Sequence, residues 1–345
     1  MVIVIIAGGS GTRLWPLSTP NYPKHLLKID GDKLSLLQNT YERAKNLTND
    51  IYVVSEASHI EHVKQQLSDL PDSSFIVEPS RRGTASCIVA ALGRISKNHG
   101  LDEVIASIHA DHFIRDSMGF KRSFELSTKV ASDAKRIVLV GVEPDHAATG
   151  FGYIKKGTPL LDSQSVYNVD SFKEKPDYNT AQQYLRSGEY LWNCGYFVAT
   201  LGTFIDNMKE HAPNLYTNYN KLNKSKSSDS YNQAYLAFEN EAIDYALIEK
   251  VPDLLVVPAS FDWMDLGSFG DLHKAIGSDE QGNYMSGNVE SLEVDNSLIQ
   301  NYESKPLAVI GLDNVVVINT EDGILVARKD LAQKVGEISK KVNNK

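Results

Sequence analysis

Short apolar runs alternate with longer amphipathic segments along the first 150 residues. Five runs rich in Val and Ile have the length and polar boundaries of strands buried on both faces of a sheet; they lie at 1–6, 51–55, 75–78, 104–108 and 137–142. Helical spacing marks the segments between them, at 34–46, 57–68, 84–97 and 117–134. Strands that alternate with helices at this spacing predict an α/β fold with a parallel sheet.

The alternation changes after residue 150. Further strands are predicted at 151–154, 166–172 and 196–199, and further helices at 177–187, 201–211 and 234–250. Residues 212–233 are polar and serine-rich, which predicts a mobile connection between helices. From about residue 280, short apolar strands separated by Asn, Asp and Gly turns predict a β-rich segment, closed by a helix at 329–342. We therefore predict two domains, at 1–278 and 279–345.

The first strand ends in the glycine-rich turn Ala7-Gly8-Gly9-Ser10-Gly11-Thr12, which is followed by Arg13 and, after three prolines, by Lys24. Glycines let backbone N–H groups approach an anion, and the two cations can neutralise it, so the stretch predicts a phosphate site. The third glycine of a dinucleotide fingerprint and the Gly-Lys-Ser/Thr of a P-loop are both missing, which disfavours those two classes. The alternative to a phosphate site is an ordinary strand-to-helix turn whose glycines serve only close packing.

Two carboxylates, Glu78 and Asp111, stand at predicted strand ends, where ligands of open α/β sheets bind. Asp111 beside a phosphate turn is typical of a Mg²⁺ ligand, because Mg²⁺ prefers one or two carboxylates together with phosphate oxygens and water. The neighbouring His109 and His112 leave a zinc site as an alternative. No third soft ligand is near in sequence, so a hydrogen-bonded structural role is favoured for His112.

Composition narrows the function classes. The 345 residues carry a net charge of −9 without a block of like charges, which argues against nucleic-acid binding and against a basic membrane surface. No apolar run approaches the length of a membrane span. Cys87 and Cys194 form no CxxC pair, which favours a reducing, cytoplasmic setting over a disulfide framework.

GGSGTRLWPLS at 8–18, followed by PKHLL at 23–27, resembles the N-terminal signature of the sugar-phosphate nucleotidyltransferases. Its WPLS continuation is similar to the variant found in mannose-1-phosphate guanylyltransferases. The resemblance implies a Rossmann-like, GT-A-like domain with a mostly parallel mixed sheet and an extension similar to a left-handed β-helix. It also implies that residues 7–12 wrap a nucleoside triphosphate, with Arg13 and Lys24 on its phosphates.

Three further elements resemble the sugar-phosphate pocket of that family: FKEKP at 172–176, WNCGYF at 192–197 and TGFGYI at 149–154. They imply that Glu174 and Asn193 bind sugar hydroxyls, that Lys175 neutralises the sugar phosphate, and that the backbone at Gly150 approaches the sugar. The alternatives are a solvated charged turn for FKEKP and core packing for the aromatic residues Trp192 and Tyr196, of which core packing is favoured.

The stretch FDWMDLGS at 261–268 resembles an element whose aspartate coordinates the metal, which implies Asp265 beside Asp111; Asp262 fits a turn residue instead. EPSRRGTA at 78–85 resembles the family's base-recognition element. This resemblance implies that Glu78, Arg82 and Thr84 bind the nucleotide together with Asp111, although Gly83 replaces the family's usual Asn. Thr84 also suits the N-cap of the next helix.

Together these resemblances imply transfer of GMP from GTP to mannose 1-phosphate with Mg²⁺ or another divalent cation, catalysed by Arg13, Lys24 and Asp111. A homodimer is expected, since the apolar strands of the β-rich tail need covering. Two alternatives stay open: a related nucleotidyltransferase for another sugar or base, and a non-catalytic protein that senses a nucleotide sugar.

Overall fold

A mixed β-sheet forms the centre of the molecule. The structure is a computed structural model and describes residues 1–9, 11–29, 33–160 and 165–343. The strands before the C-terminal extension are β1 (Val2–Ala7), β2 (Ile51–Glu56), β3 (Phe75–Glu78), β4 (Val104–His109), β5 (His112–Phe113), β6 (Val138–Val142), β7 (Gly152–Pro159), β8 (Tyr167–Lys173), β9 (Tyr190–Thr200), β10 (Leu255–Pro258) and β11 (Met264–Asp265).

Nine of these strands, among the described residues, pair in the order β3-β2-β1-β4-β9-β6-β10-β8-β7. Strands β8 and β9 run against the direction of the other seven. The predicted α/β fold with a mostly parallel mixed sheet is therefore confirmed. β5 and β11 lie outside the sheet and pair with each other in antiparallel fashion.

Helices cover both faces of the sheet, as a strand apolar on both sides requires. Val4 and Ile5, neighbours in β1, belong to separate apolar cores on opposite faces. The helices of this part are α1 (Leu36–Lys45), α2 (Ile60–Gln66), α3 (Gly83–Ile95), α4 (Ser117–Ala134), α5 (Tyr178–Ser187), α6 (Leu201–His211), α7 (Pro213–Lys224), α8 (Ser228–Leu236), α9 (Ile243–Ala246) and α10 (Phe269–Ile276), with 3₁₀ turns at Thr12–Leu14, Lys24–Leu26, Asp72–Ser74 and Ile248–Lys250.

Two predictions in the second half of this domain are wrong. The segment 212–233 is not a mobile connection, because it forms α7 and most of α8. Pro213 starts α7, and Leu215, Tyr219 and Leu222 bury one face of it at helical spacing. The predicted helix at 234–250 is broken after α8, and only α9 and a 3₁₀ turn follow the break.

The C-terminal extension contains β12 (Tyr284–Ser286), β13 (Val289–Leu292), β14 (Leu298–Asn301), β15 (Leu307–Ile310), β16 (Val315–Thr320), β17 (Gly323–Arg328), a 3₁₀ stretch (Lys329–Lys334) and α11 (Val335–Asn343). β12, β14 and β16 pair in parallel, as do β13 and β15, which is the coil of a β-helix. The β-helix-like extension and the closing helix are confirmed, whereas the boundary at 278/279 and the handedness of the coil stay predictions.

The extension shares a core with the glycine-rich turn. Leu14 and Trp15, which follow Arg13, pack in one cluster with Phe269 of α10 and with Val316 and Ile318 of β16. The stretch around Arg13 is thus packed against residues of the C-terminal extension.

None of the helices described for this chain is long and apolar enough to cross a membrane.

Candidate active site

The glycine-rich turn after β1 packs directly against Lys24. Gly9 and Gly11 have φ values of +95° and +55°, and a Cβ on Gly11 would lie 2.4 Å from the Cβ of Lys24. A side chain at Gly11 would therefore clash, and only glycine suits its backbone. Thr12 opens the 3₁₀ turn that leads to Arg13. Ser10, also predicted to bind nucleotide, lies outside the described residues.

Arg13 projects an exposed side chain beside the metal-ligand element. Its Nη1 lies 3.5 Å from where a Cβ on Gly267 would stand, and its Cγ lies 3.2 Å from the equivalent point on Gly336 of α11. The guanidinium has no hydrogen-bonding or ionic partner among the described residues. It is a cation available to an anionic ligand, as the sequence predicts.

Lys24, Asp111 and Asp265 converge at one point. The Lys24 ammonium lies 2.7 Å from Oδ2 of Asp111 and 2.8 Å from Oδ1 of Asp265. The Lys24 side chain is 7% exposed, so this is a buried cation between two carboxylates. The predicted pair of metal ligands is brought together, and the predicted phosphate-binding lysine lies between them.

Charge keeps all three groups ionised. Burial alone would lower the pKa of Lys24, but the carboxylates outweigh it and raise that pKa to about 12. Burial likewise works to raise the pKa values of Asp111 and Asp265, yet the Lys24 charge holds both below their usual range. Two ionised carboxylates around a cation fit the ligands that Mg²⁺ prefers, and the Lys24 ammonium stands in for such an ion.

The two carboxylates meet because β5 pairs with β11. Asp265 lies opposite His112, and His112 directly follows Asp111, although the two strands are far apart along the chain.

Asp262 has the turn role considered for it, since its carboxylate accepts hydrogen bonds of 2.9 and 2.7 Å from the backbone N–H groups of Arg115 and Asp116.

His112 is a hydrogen-bonded structural histidine, as predicted. Its Nδ1 lies 3.0 Å from Nε1 of Trp263 and 2.8 Å from the hydroxyl of Tyr196. Because an indole N–H can only donate, this Nδ1 accepts and the ring is neutral. Burial supports the neutral form by lowering the pKa of His112 to about 3. Within the described ranges, no group of three or more His, Cys, Asp or Glu side chains that could hold a metal ion is found.

Glu78, at the end of β3, is buried behind the glycine-rich turn. Its Oε1 accepts hydrogen bonds from the hydroxyl of Tyr235 and, at 3.1 Å, from the thiol of Cys87. Its Oε2 faces the turn, 3.9 Å from where a Cβ on Gly8 would stand. Burial raises the pKa of Glu78. One carboxylate oxygen is thus committed to the protein and the other is directed toward the predicted nucleotide site.

The residues after Glu78 differ from the prediction in one respect. Thr84 is not the N-cap of α3, because the helix begins at Gly83 and Arg82 caps it. Instead, Oγ1 of Thr84 accepts a hydrogen bond of 3.0 Å from the backbone N–H of Ile243. Gly83 has a φ of +77°, and a Cβ there would lie 2.1 Å from the carbonyl oxygen of Glu241. This close approach leaves no room for a side chain at position 83 of this chain.

The Glu174 carboxylate has one oxygen that lacks a hydrogen-bonding partner among the described residues and could accept from a ligand. Its Oε1 accepts from the Lys175 ammonium at 2.7 Å, whereas its buried Oε2 has no hydrogen-bonding partner in the described part of the chain. A Cβ on Gly152 would lie 2.3 Å from that Oε2. Lys175 is half-exposed at the rim, and the Glu174 contacts outweigh burial to raise its pKa.

Asn193 lies in β9 opposite Gly152 and faces the same pocket. Its amide donates to Oδ1 of Asp244 at 2.6 Å, and its Oδ1 accepts from the backbone N–H of Gly195 at 3.0 Å. Burial, with the charge of Glu174, raises the pKa of Asp244 to about 6. Gly150 stands at the mouth of the pocket, and a Cβ there would meet nothing within 4 Å.

One pocket joins the two halves of the site. It is lined by Glu174, Asn193 and Asp244 together with His109 and Asp265. A ligand held by Glu174 would therefore lie beside the carboxylate pair. Trp192 and Tyr196 are buried below, which confirms the core packing favoured for them.

A family model described as "Nucleotidyl transferase" matches residues 2–282, and a second, described as "MannoseP isomerase/GMP-like beta-helix domain", matches residues 287–342. The chain belongs to the nucleotidyl transferase family. It is an enzyme of that class whose second domain is the β-helix described above.

Relatives of this nucleotidyl transferase extend over almost its whole length. A mannose-1-phosphate guanylyltransferase of Salmonella montevideo is 35% identical, covering 98% of this chain and 73% of the relative. The xanthan biosynthesis protein XanB of Xanthomonas campestris pv. campestris is 34% identical, covering 99% of this chain and 73% of its own. A crystal structure described as mannose-1-phosphate geranyltransferase from Thermus thermophilus is 27% identical, with a TM-score of 0.89 and 99% of both chains covered.

Tyr235 and Asp244 are two site residues of this nucleotidyl transferase that sequence reasoning missed. Tyr235 lies in α8 and Asp244 in α9, both in the segment that was predicted to be one continuous helix. Neither stands in a glycine-rich or charged motif. No contiguous pattern of the sequence therefore pointed to either residue.

Proposed function

We propose that this enzyme transfers GMP from GTP to α-D-mannose 1-phosphate and releases GDP-mannose and pyrophosphate. The observation that carries the proposal is a single pocket lined by both Asp265 and Glu174, whose buried Oε2 has no hydrogen-bonding partner among the described residues. A sugar bound by Glu174 would present its phosphate toward the carboxylate pair. The name of the Salmonella montevideo relative supports the choice of substrates.

The reaction is a direct displacement at phosphorus. A phosphate oxygen of the sugar phosphate forms a bond to the α-phosphorus of GTP, and the bond from that phosphorus to the bridging oxygen of the β-phosphate breaks. Pyrophosphate leaves with the electron pair. The nucleophile is already an anion, so no general base is needed, and the work of the protein is to position two anions and offset their repulsion.

Three cations of this chain are proposed to offset that repulsion. Arg13 and Lys24 are proposed to contact the triphosphate held by the turn at 7–12, and Lys175 the phosphate of the sugar. Asp111 and Asp265 would hold Mg²⁺ or another divalent cation, which when bound supplies positive charge that screens the phosphates. The ionised state of both carboxylates supports this assignment.

Guanine selection is proposed to rest on Glu78, with Arg82 and Thr84 shaping the same wall. A carboxylate oxygen can accept from the N1–H and exocyclic amine edge of guanine, donors that adenine does not present together. Oε1 already accepts from Tyr235 and Cys87, which leaves Oε2 as the acceptor for the base. We thus propose contact through one oxygen rather than a two-oxygen clamp.

Assembly and location are also proposals. Two copies are proposed to pair through the extension, since Ile310 of β15 and Ile324 and Val326 of β17 are 65%, 64% and 64% exposed. A cytoplasmic setting is supported by Cys87 and Cys194, which are both buried free thiols.

The experiment is a substrate panel that measures pyrophosphate release. Purified protein with Mg²⁺ is given GTP, ATP, UTP or dTTP, each paired with mannose 1-phosphate, glucose 1-phosphate or no sugar. We expect GTP with mannose 1-phosphate to have the highest kcat/KM by at least about a hundredfold. Faster release with another pair would replace these substrates, and uptake of GDP-mannose without any pyrophosphate formed would favour a sensor.

A further inference from the structure

Lys24 occupies the position of a divalent cation that would bind one oxygen of each carboxylate. Its Nζ contacts one oxygen of each carboxylate, at 2.7 Å from Asp111 and 2.8 Å from Asp265. Mg²⁺ binds carboxylate oxygens at about 2.1 Å, so an ion held through these two oxygens would lie between them, where the ammonium now lies. An ammonium and a metal ion cannot share that space.

Charge leads to the same conclusion. The cluster carries two negative charges and one positive charge, and its ammonium is buried at 7% exposure. A divalent cation added beside Lys24 would repel it at contact distance with little solvent to screen the repulsion. The same ion in place of Lys24 would instead neutralise both carboxylates. Binding of metal and retention of Lys24 between the carboxylates therefore exclude each other.

The Lys24 side chain can move although its backbone cannot. The backbone lies in the 3₁₀ turn Lys24–Leu26 behind Pro23, and Gly11 packs against the Lys24 backbone nitrogen and Cβ. Four flexible methylenes separate this fixed point from Nζ. Because the stem starts beside the glycine-rich turn, an anion bound by that turn offers Nζ a new partner.

We propose that Lys24 is an internal counter-ion that closes the metal site of the free enzyme and leaves it when a metal and a triphosphate bind together. The lysine exchanges two carboxylates for phosphate oxygens, and the carboxylates exchange the lysine for the metal. Divalent cations alone therefore bind weakly, and nucleotide and metal enter as a pair. The identity of the anion rests on the proposed function, whereas the exclusion between Lys24 and a divalent cation does not.

The first test measures Mn²⁺ binding without nucleotide, by the electron paramagnetic resonance signal of the free ion. Lys24→Gln should bind Mn²⁺ at least about tenfold more tightly than the unmodified protein, since the carboxylates lose their resident cation. Lys45→Gln is the matched control, because Lys45 also contacts two carboxylates, Glu42 and Asp69, but at the surface. Adding Asp111→Asn to Lys24→Gln should abolish the gain. Equal or weaker Mn²⁺ binding by folded Lys24→Gln would overturn the proposal.

A second measurement needs no variant and stands even where Lys24→Gln fails to fold. The unmodified protein is treated briefly with acetic anhydride, and acetylation of Lys24 and Lys45 is quantified by peptide mass spectrometry. Saturating Mn²⁺ without nucleotide should raise the labelling of Lys24 several-fold and leave that of Lys45 unchanged. Unchanged labelling of Lys24 at Mn²⁺ saturation would contradict its displacement. Neither readout depends on the substrates, so a failure of the substrate panel is distinguishable from a failure here.

Discussion

The hydroxyl of Tyr235 donates a hydrogen bond to Oε1 of Glu78 across a sequence separation of 157 residues. Tyr235 is fully buried, and its hydroxyl is also 2.9 Å from Oγ of Ser86. The contact places α8 behind the proposed guanine acceptor and orients the carboxylate so that Oε2 faces the glycine-rich turn. Tyr235 is therefore a positioning residue for Glu78.

Replacing Tyr235 should change base selection more than turnover. In Tyr235→Phe, Glu78 loses a donor to Oε1 and is free to rotate, which we expect to lower kcat/KM for GTP about tenfold, mostly through KM. Inosine triphosphate lacks the exocyclic amine, so the preference for GTP over it should shrink. The measurement is the ratio of the two kcat/KM values from pyrophosphate release.

Tyr231→Phe serves as the control for that change. The ring of Tyr231 lies 6.1 Å from that of Tyr235, at a tilt of 32°, but its hydroxyl has no hydrogen-bonding partner among the described residues. Its removal should leave the GTP preference intact. An unchanged preference in Tyr235→Phe as well would contradict the role assigned to Tyr235.

Asp265 and Asp262 allow a comparison of function with stability within one short segment. Asp265→Ala removes a proposed metal ligand, and we expect at least about a hundredfold loss of kcat with folding retained. Asp262→Ala removes the acceptor for two backbone N–H groups, and should cost about 1–3 kcal/mol of unfolding free energy with kcat largely kept. Urea unfolding and initial rates separate the two, and near-normal turnover in Asp265→Ala would exclude it as a metal ligand.

Glu174 should govern sugar binding. Glu174→Gln replaces the vacant acceptor Oε2 or its partner oxygen by an amide, so we expect KM for mannose 1-phosphate to rise at least about tenfold while KM for GTP changes little. Gly152→Ala should have a similar effect, because the new Cβ would lie 2.3 Å from that Oε2. Gly100→Ala, where a Cβ meets nothing within 4 Å, is the matched control. A larger effect on GTP than on the sugar would contradict this assignment.

Asp244 should make stability depend on pH. Its pKa is raised from 3.8 to about 6 by burial and by Glu174, so the folded chain binds this proton more tightly than the unfolded chain. Ionised Asp244 therefore lowers stability above about pH 6, and this penalty disappears progressively as the pH falls from 6 to 3.8. Asp244→Asn should be more stable than the unmodified protein at pH 7.5, by about 1–3 kcal/mol, with the difference shrinking toward pH 4.

Thermal unfolding between pH 4 and pH 8 checks this expectation. Asp133→Asn, at an exposed aspartate of α4, is the matched control for the same change of residue type. A stability difference for Asp244→Asn that grows as the pH falls would mean that the carboxylate is stabilised in its ionised form instead.

Local patterns were sufficient to predict β1, the glycine-rich turn and the carboxylate Asp111 at a strand end, because apolar runs and motif spacing are properties of contiguous sequence. Asp265 was predicted only through the resemblance of FDWMDLGS to a family element. α7 was missed because its three buried residues are diluted by polar neighbours, and packing on α3 and α6 rather than composition stabilises it. A prediction from composition alone therefore misses a helix of this kind.

Contacts between distant segments were beyond prediction for a different reason. In the break before α9, the Glu241 carbonyl approaches Gly83 so closely that no Cβ fits between them. The Lys24 position depends on the pairing of β5 with β11. In a single sequence, neither segment of such a pair indicates its contact with the other, because the two segments meet only in the folded protein.

The most direct test of the central claim uses mannose 1-phosphate whose non-bridging phosphate oxygens are ¹⁸O, incubated with GTP and Mg²⁺ and analysed by mass spectrometry. Direct displacement at the α-phosphorus predicts GDP-mannose that retains all of the ¹⁸O, one atom of it bridging the two phosphorus atoms, and pyrophosphate that contains none. ¹⁸O in the pyrophosphate, or pyrophosphate without any GDP-mannose, would contradict the account.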